Sequence, residues 1–279
     1  MDKLSLAVIS YGPQYPEWWA PFALMAGTLH RYDIQLNSVV HAGSMAADHN
    51  RNAVVDAFLL SSSDWIFWVD TDNVIPLGGI RRMLDVKNSL VTGLYYLKAP
   101  PYTPVAYKLQ SDNRYSVIEG WTRGEIVPVD MAGMGACLVH RSVYEDIQKT
   151  HTVCMTWRGD TMVVPNSKID GKLFDEPHQG QPVVKDGIMQ FPMYEQKEWQ
   201  HGRKFPFFMT NFGRTEDVVF WEMAKEAGHH GLCDTSVECP HVGQYEYTGE
   251  TYRDHIKKEK LSVEGKIREY VIDREVYTP

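Results

Sequence analysis

Residues 65–69 (WIFWV) constrain the fold most, because five apolar or aromatic residues in a row are followed at once by Asp70, Thr71 and Asp72. A short apolar run with polar flanks is typical of a strand buried on both faces, as in the middle of a parallel sheet. Side chains alternate along a strand, so we expect Asp70 and Asp72 to share a face where this strand ends. Two carboxylates this close, with no cation beside them, favour a bound divalent metal ion.

Length and composition bound the class of protein. With 279 residues and 43% hydrophobic content, the chain can bury a sizeable core, and we expect one domain over residues 1–248 with a helical tail over 249–279. The net charge of −8 weighs against a generally basic nucleic-acid-binding surface. No apolar run nears the roughly 18 residues of a membrane span, so we predict no membrane span and a cytoplasmic protein.

Strand-like and helix-like segments alternate along the first hundred residues. The alternation runs through strands 4–10, 34–40, 65–69 and 90–96 and through helices 18–31, from about 48 onward, and 77–84. This pattern predicts an α/β fold with a mostly parallel sheet and crossover helices. Residues 103–121, interrupted by Ser-Asp-Asn, predict a small antiparallel hairpin appended to that sheet. The four cysteines show no C-x-x-C spacing and are expected to be reduced, mostly buried thiols.

Three residues of the first half are candidate contacts of a nucleotide. Ser10 and Tyr11 follow the first strand, and loops after the strands of an open α/β sheet bind ligands. Arg51 is expected in the first turn of a helix, where it can bind a diphosphate bidentately. A solvated surface arginine is the alternative for Arg51.

Candidate site residues of the second half fall in three places. Gly133 and Gly135 are positions where the chain can pass close to a ligand. Glu216 and Asp217 open a predicted helix, where favourable charge at the helix N-terminus explains them without catalysis. His241 stands alone, as structural histidines usually do. Between these places, residues 150–205 read as an irregular insertion whose aromatic and histidine side chains either line an acceptor pocket or simply pack; these side chains are Trp157, His178, Tyr194 and Trp199.

Taken together, these motifs occur in the order found in glycosyltransferases of the Rossmann-like GT-A fold, and residues 4–245 resemble family 2 and its relatives. The resemblance implies that Asp70 and Asp72 hold Mn²⁺ or Mg²⁺ against the diphosphate of a UDP- or GDP-sugar, and that His241 completes the metal site. It assigns Glu216 and Asp217 to the catalytic or acceptor-positioning carboxylate. Residues 1–100 would form the nucleotide-sugar and metal half, and 101–248 the acceptor half. The acid that family 2 carries after the second strand is missing from residues 41–44, which leaves the nucleobase open.

The implied function is metal-dependent transfer of a sugar to a hydroxyl acceptor. Candidate acceptors are a glycan, a small molecule or a modified base in DNA. Whether Asp217 acts as a base or only orients the acceptor decides between inversion and retention, and the helix dipole is expected to lower its pKa.

Two alternatives stay open. A sugar-nucleotide nucleotidyltransferase would need a basic glycine-rich loop after the first strand, and residues 11–16 contain no Lys or Arg. A non-catalytic nucleotide- or metal-binding module is the other; an EF-hand is excluded by Ile75 and Arg81, which stand where its loop needs glycine and glutamate.

Overall fold

The structure is a computed structural model that describes residues 1–10, 15–43, 46–156, 161–168, 183–185, 188–190, 193–195, 205–210, 213–243 and 246–255. The helices are α1 (Pro16–Thr28), α2 (Ala47–Leu60), α3 (Gly79–Asp85), α4 (Arg141–Thr150) and α5 (Glu216–Glu226). The strands are β1 (Asp2–Ile9), β2 (Ile34–Ala42), β3 (Trp65–Asp70), β4 (Leu90–Leu94), β5 (Ala106–Leu109), β6 (Tyr115–Val117), β7 (Ile126–Val129), β8 (Met131–Ala132), β9 (Ala136–His140), β10 (His151–Thr156), β11 (Thr161–Pro165), β12 (Val183–Lys185), β13 (Ile188–Gln190), β14 (Met193–Glu195), β15 (Gly231–Glu238), β16 (His241–Val242) and β17 (Glu246–Tyr247).

The main sheet has seven strands in the order β2-β1-β3-β9-β4-β15-β7. β1 pairs in parallel with β2 and β3, and β4 pairs in parallel with β15. β9 lies antiparallel between β3 and β4, and β7 is antiparallel to β15 at one edge. The predicted α/β fold with a mostly parallel sheet is therefore confirmed.

Strand β3 shows why the sheet is covered on both sides. Ile66 and Trp68 lie in one apolar core with residues of α2, α4 and α5, whereas Phe67 and Val69 lie in a second core with residues of α1 and α3. All four side chains are fully buried. A strand that is apolar at every position needs such double cover, since its side chains alternate between two faces.

The predicted hairpin within residues 103–121 is formed by β5 and β6, which pair antiparallel, with β8 added on the other side of β5. The described parts of residues 150–205 contain strands, with β10 pairing antiparallel to β11 and β14, and β12 to β13. The prediction of an irregular insertion is wrong for these parts. The strands contain only three to six residues each, which is too short for a periodic signal between the prolines and glycines of this segment.

Several predictions fall partly outside the described residues. Trp157, His178 and Trp199 lie there, as does the side chain of Tyr194. Residues 249–255 also form a helix, and the tail beyond them lies outside the described residues, so the helical tail over residues 249–279 stays a prediction. No helix in the described part of the chain has the length and apolar character needed to cross a membrane. Three of the four cysteines, Cys137, Cys233 and Cys239, are buried free thiols.

Candidate functional site

The candidate site lies at the edge of the main sheet where β1, β3 and β4 end. The Thr71 backbone N–H donates to the Ile9 carbonyl (2.9 Å), and the Asp70 N–H donates to the carbonyl of Gly135 before β9 (3.3 Å). At the same edge, the Val242 N–H donates to the Asp72 carbonyl. The sheet thus gathers segments that are far apart in the sequence, which is the usual place of a ligand site in an open α/β sheet.

Arg51 lies inside the protein and not on its surface. Its side chain is 2% exposed because Arg51 shares the buried face of α2 with Val54, Val55 and Phe58. Helix α2 begins at Ala47, so Arg51 is its fifth residue, and the prediction that it lies in the first turn is wrong. The sequence signal for burial was the spacing of Arg51 from those three apolar residues, which places all four on one helix face.

Three carboxylates surround the Arg51 guanidinium. Arg51 Nη2 lies 3.4 Å from Asp70 Oδ1, and Arg51 Nε lies 3.6 Å from Glu216 Oε1 and 3.5 Å from Asp217 Oδ1. These acids come from β3 and from the first turn of α5, which Thr215 immediately precedes. A buried arginine is stabilised by such partners, and a guanidinium with several donors is suited to a diphosphate as well.

Asp217 has the most perturbed carboxyl group of the cluster. Burial raises its pKa to about 7, Arg51 acts in the opposite direction, and the charges of Glu216 and Asp70 add to the increase. The Met134 N–H donates to Asp217 Oδ2 (3.2 Å), and Oδ1 has no hydrogen-bond partner among the described residues. The prediction of a pKa lowered by the helix dipole is wrong, because removing this carboxylate from water outweighs the dipole.

Asp70 and Asp72 contact different groups. Strand β3 ends at Asp70 and the chain turns there, with the Asn73 N–H donating to the Asp70 carbonyl (3.0 Å). Strand alternation therefore does not extend to Asp72. Asp70 and Asp72 do not form the predicted pair of carboxylates without a cation beside them. Asp70 lies against Arg51, with its pKa raised by burial and by Asp72, and lowered in part by Arg51.

Asp72 lies between Lys98 and His241. Lys98 Nζ is 2.6 Å from Asp72 Oδ2, and His241 Nε2 is 3.2 Å from the same oxygen. Burial alone would raise the pKa of Asp72, but these two contacts outweigh burial and lower it. Sequence reasoning missed Lys98, although it follows β4 by four residues and therefore belongs to the same edge of the sheet.

His241 is oriented as metal-binding histidines commonly are. Its Nδ1 lies 2.7 Å from the Tyr96 carbonyl oxygen, and a carbonyl only accepts, so Nδ1 carries a proton. Nε2 is then the nitrogen available on the side of Asp72. A second hydrogen bond that fixes the tautomer in this way is typical of histidine ligands.

The predicted metal ligands are only partly assembled. Among the residues that the structure describes, no group of three or more His, Cys, Asp or Glu side chains is arranged to hold a metal ion. Asp72 Oδ2 and His241 Nε2 nevertheless fit such an ion, because adjacent ligands of an octahedral cation lie about 3 Å apart when the bonds are about 2.1 Å. Next to them, the buried Asn73 Oδ1 has no hydrogen-bond partner in the described part of the chain. The donor atoms therefore fit a hard divalent cation.

Gly133 and Gly135 lie against side chains of the site. A Cβ at Gly135 would overlap the Asn73 side-chain amide and would lie 3.0 Å from Asp70 Oδ2, and a Cβ at Gly133 would overlap the Tyr95 hydroxyl. Tyr95, which sequence reasoning did not identify, accepts a long hydrogen bond from the Gly135 N–H (3.4 Å). Close packing thus requires glycine at both positions, and their contact with a nucleotide stays a prediction.

Ser10 directly follows β1 and is 6% exposed, and its Oγ lies 3.0 Å from His41 Nε2. A Cβ at Gly43 would overlap the Ser10 hydroxyl, so this glycine allows the contact between the two strand ends. Tyr11 lies outside the described residues. A nucleotide contact of either residue therefore stays a prediction.

Comparison with known proteins found no matching family model and no matching curated protein. Among solved structures, A197 from STIV matches with 16% identity over 87% of this chain and 86% of that chain, with a TM-score of 0.46. UDP-glucose pyrophosphorylase complexed with UDP-glucose matches with 10% identity over 55% and 81%, with a TM-score of 0.34. A glycosyltransferase involved in the glycosylation of the major capsid of PBCV-1 matches with 10% identity over 50% and 61%, with a TM-score of 0.27. Likenesses with such low TM-scores carry no argument about what this chain does.

Proposed function

We propose that this chain is a metal-dependent glycosyltransferase that moves a sugar from a nucleoside-diphosphate sugar to a hydroxyl acceptor. The observation that carries the proposal is the Asp217 carboxyl, whose pKa is raised to about 7. It lies with Arg51 at the sheet edge that also holds the Asp72–His241 pair. A base that titrates near neutral pH and a cationic group for a leaving phosphate are what transfer to a hydroxyl needs.

On the donor side, Arg51 binds the diphosphate, and Asp72 and His241 would hold Mn²⁺ or Mg²⁺. A divalent cation held there would supply positive charge for the leaving diphosphate. Arg51 is suited to its role because its guanidinium is already buried between Asp70 and α5, so little conformational freedom is lost on binding. In this proposal residues 1–100 supply most of the donor side, and residues 101–248 supply His241 and the acceptor side.

On the acceptor side, Asp217 removes the proton of the acceptor hydroxyl. The hydroxyl oxygen forms a bond to the anomeric carbon, the bond from that carbon to the phosphate oxygen breaks, and its electron pair leaves with the nucleoside diphosphate. The proton goes to the Asp217 carboxylate, whose Oδ1 lies 3.5 Å from Arg51 Nε and whose Oδ2 accepts from the Met134 N–H. The acceptor class is a hydroxyl of a glycan, a small molecule or a modified DNA base.

The test is release of a nucleoside diphosphate from a panel of UDP- and GDP-sugars, with Mn²⁺, with Mg²⁺ and with EDTA. We expect release from at least one donor only when a metal is present, followed by a mass increase of one sugar on the true acceptor. Asp130→Asn, which changes a carboxylate bound to Lys225 (2.7 Å) away from the site, is the matched control and should retain turnover. Failure to release a nucleoside diphosphate from any donor with either metal would contradict the proposal.

Lys98 favours a second candidate, a sugar-nucleotide nucleotidyltransferase. Its ammonium at 2.6 Å from Asp72 adds a second cation to Arg51, and a nucleoside triphosphate carries more negative charge than a diphosphate. The two reactions differ in their products. A nucleotidyltransferase joins a nucleoside triphosphate to a sugar phosphate and releases pyrophosphate from the triphosphate. A glycosyltransferase releases a nucleoside diphosphate from its sugar donor.

A further inference from the structure

Lys98 contacts the carboxylate oxygen of Asp72 that a metal ion would need. Its Nζ lies 2.6 Å from Asp72 Oδ2, which is also the oxygen nearest to His241 Nε2 at 3.2 Å. An ammonium group and a divalent cation repel each other, and both cannot lie this close to one carboxylate oxygen. In the geometry described, Asp72 is neutralised by a side chain of the protein itself.

The position of Lys98 allows it to leave Asp72. Lys98 lies beyond the end of β4, its side chain is 32% exposed, and its Nζ lies 5.7 Å from the centre of the Tyr15 ring. A lysine has a flexible stem and three donors that can be redirected at little cost. A diphosphate bound by Arg51 at the same edge would offer this ammonium a stronger anionic partner than one carboxylate.

We propose that Lys98 is a positioning residue that keeps the metal ion away from Asp72 in the free protein and moves to the donor diphosphate when the nucleotide binds. The exchange frees Asp72 for the metal, so nucleotide and metal bind with positive cooperativity. Free metal ions alone then load the site poorly. This inference rests on the proposed function, since it needs a metal ion and a diphosphate at this edge.

The test measures the binding of Mn²⁺ without nucleotide in wild type and in Lys98→Met. The electron paramagnetic resonance signal of free Mn²⁺ reports how much of the metal remains unbound. Methionine keeps much of the length of the side chain and removes its charge. We expect Lys98→Met to bind Mn²⁺ at least tenfold more tightly than wild type. Calorimetry with UDP at saturating Mn²⁺ should show the opposite change, at least tenfold weaker UDP binding, because the contact of Lys98 with the phosphate is lost.

Two variants serve as controls. Lys225→Met removes a lysine that lies 2.7 Å from Asp130 but not at the site, and should leave both affinities unchanged. Lys98→Arg keeps the positive charge and should keep weak Mn²⁺ binding without nucleotide. Thermal unfolding of each variant establishes that it is folded.

The contrary outcomes separate this inference from the proposed function. Equal Mn²⁺ affinity of wild type and Lys98→Met, in a protein that binds Mn²⁺ with UDP, would overturn the role of Lys98 alone. UDP binding that is independent of metal and is lost in Lys98→Met would also overturn it, because Lys98 would then replace the metal permanently. A wild type that binds neither Mn²⁺ nor UDP, alone or together, would contradict the proposed function itself.

Discussion

Asp217→Asn is expected to make the protein more stable at neutral pH while strongly lowering its activity. The pKa of Asp217 is about 7 in the fold, against about 3.9 in an unfolded chain, and about 3 pKa units correspond to about 4 kcal/mol. Asp217 is 20% exposed and lies beside the positive charge of Arg51. We therefore expect the variant to gain about half of this free energy of unfolding. Asparagine keeps an acceptor for the Met134 N–H, and Arg51 keeps Asp70 and Glu216 as partners.

The sign of the effect follows from proton binding. Because the folded-state pKa is raised, folding of the wild type takes up a proton between about pH 4 and pH 7, and its stability relative to the variant falls as the pH rises through that window. Thermal unfolding should therefore show a variant that matches the wild type at about pH 4 and exceeds it by about 4 °C at pH 8. With the true acceptor, kcat should fall by about 10²-fold or more with little change in donor affinity.

The control variant, Asp130→Asn, should change the stability in the opposite direction. Burial acts to raise the pKa of Asp130, but the bonds from Lys225 and from the Leu109 N–H lower it overall. Asp130→Asn should therefore be less stable than wild type by an amount that is constant between about pH 5 and pH 8 and disappears only in stronger acid. An Asp217→Asn variant with the wild-type melting temperature at pH 8, or with the same offset at every pH, would refute the reasoning about its burial. Full turnover by that variant would refute its role as the base.

Two further substitutions test the packing of the site. Gly135→Ala should lower the free energy of unfolding by about 1–3 kcal/mol and weaken donor binding, because the new methyl group overlaps Asn73 and presses on Asp70. Urea unfolding measures the first effect and calorimetry the second. Unchanged values would contradict the close approach of Gly135 to these side chains. Asn52→Ala removes both hydrogen bonds between the Asn52 side chain and the Phe208 backbone, at 2.7 and 3.0 Å. It should lower the free energy of unfolding by about 1–3 kcal/mol in the same urea assay. A decrease below a few tenths of a kcal/mol would show that these bonds are not maintained in solution.

The fold was predictable where residues are buried on both faces of the sheet. The run over residues 65–69 has no polar position, so only a central strand covered twice accommodates it, and the structure confirms this for β3. The same reasoning failed one residue beyond the strand. The turn after Asp70 depends on a backbone hydrogen bond from Asn73, and no periodic pattern reports such a turn.

The site was less predictable because its contacts join distant parts of the chain. Lys98 meets Asp72 only through the order of strands in the sheet, which brings the end of β4 to the end of β3 on either side of β9. The raised pKa of Asp217 depends on burial by the surrounding fold, whereas sequence alone shows its place at a helix start. The sequence therefore indicates where Asp217 lies on its helix and not the electrostatic environment that the fold gives it.

The most direct test of the metal-dependent nucleotide site is calorimetry of UDP and GDP, with Mn²⁺ and with EDTA, on wild type and Asp72→Asn. Asp72 is 27% exposed at the sheet edge, so the substitution should change the free energy of unfolding by no more than about 1 kcal/mol. We predict that wild type binds at least one of the two nucleotides in a Mn²⁺-dependent manner and that Asp72→Asn binds it at least tenfold more weakly. Equal affinity of both proteins, or wild-type binding that is the same in EDTA, would contradict a metal ion held by Asp72.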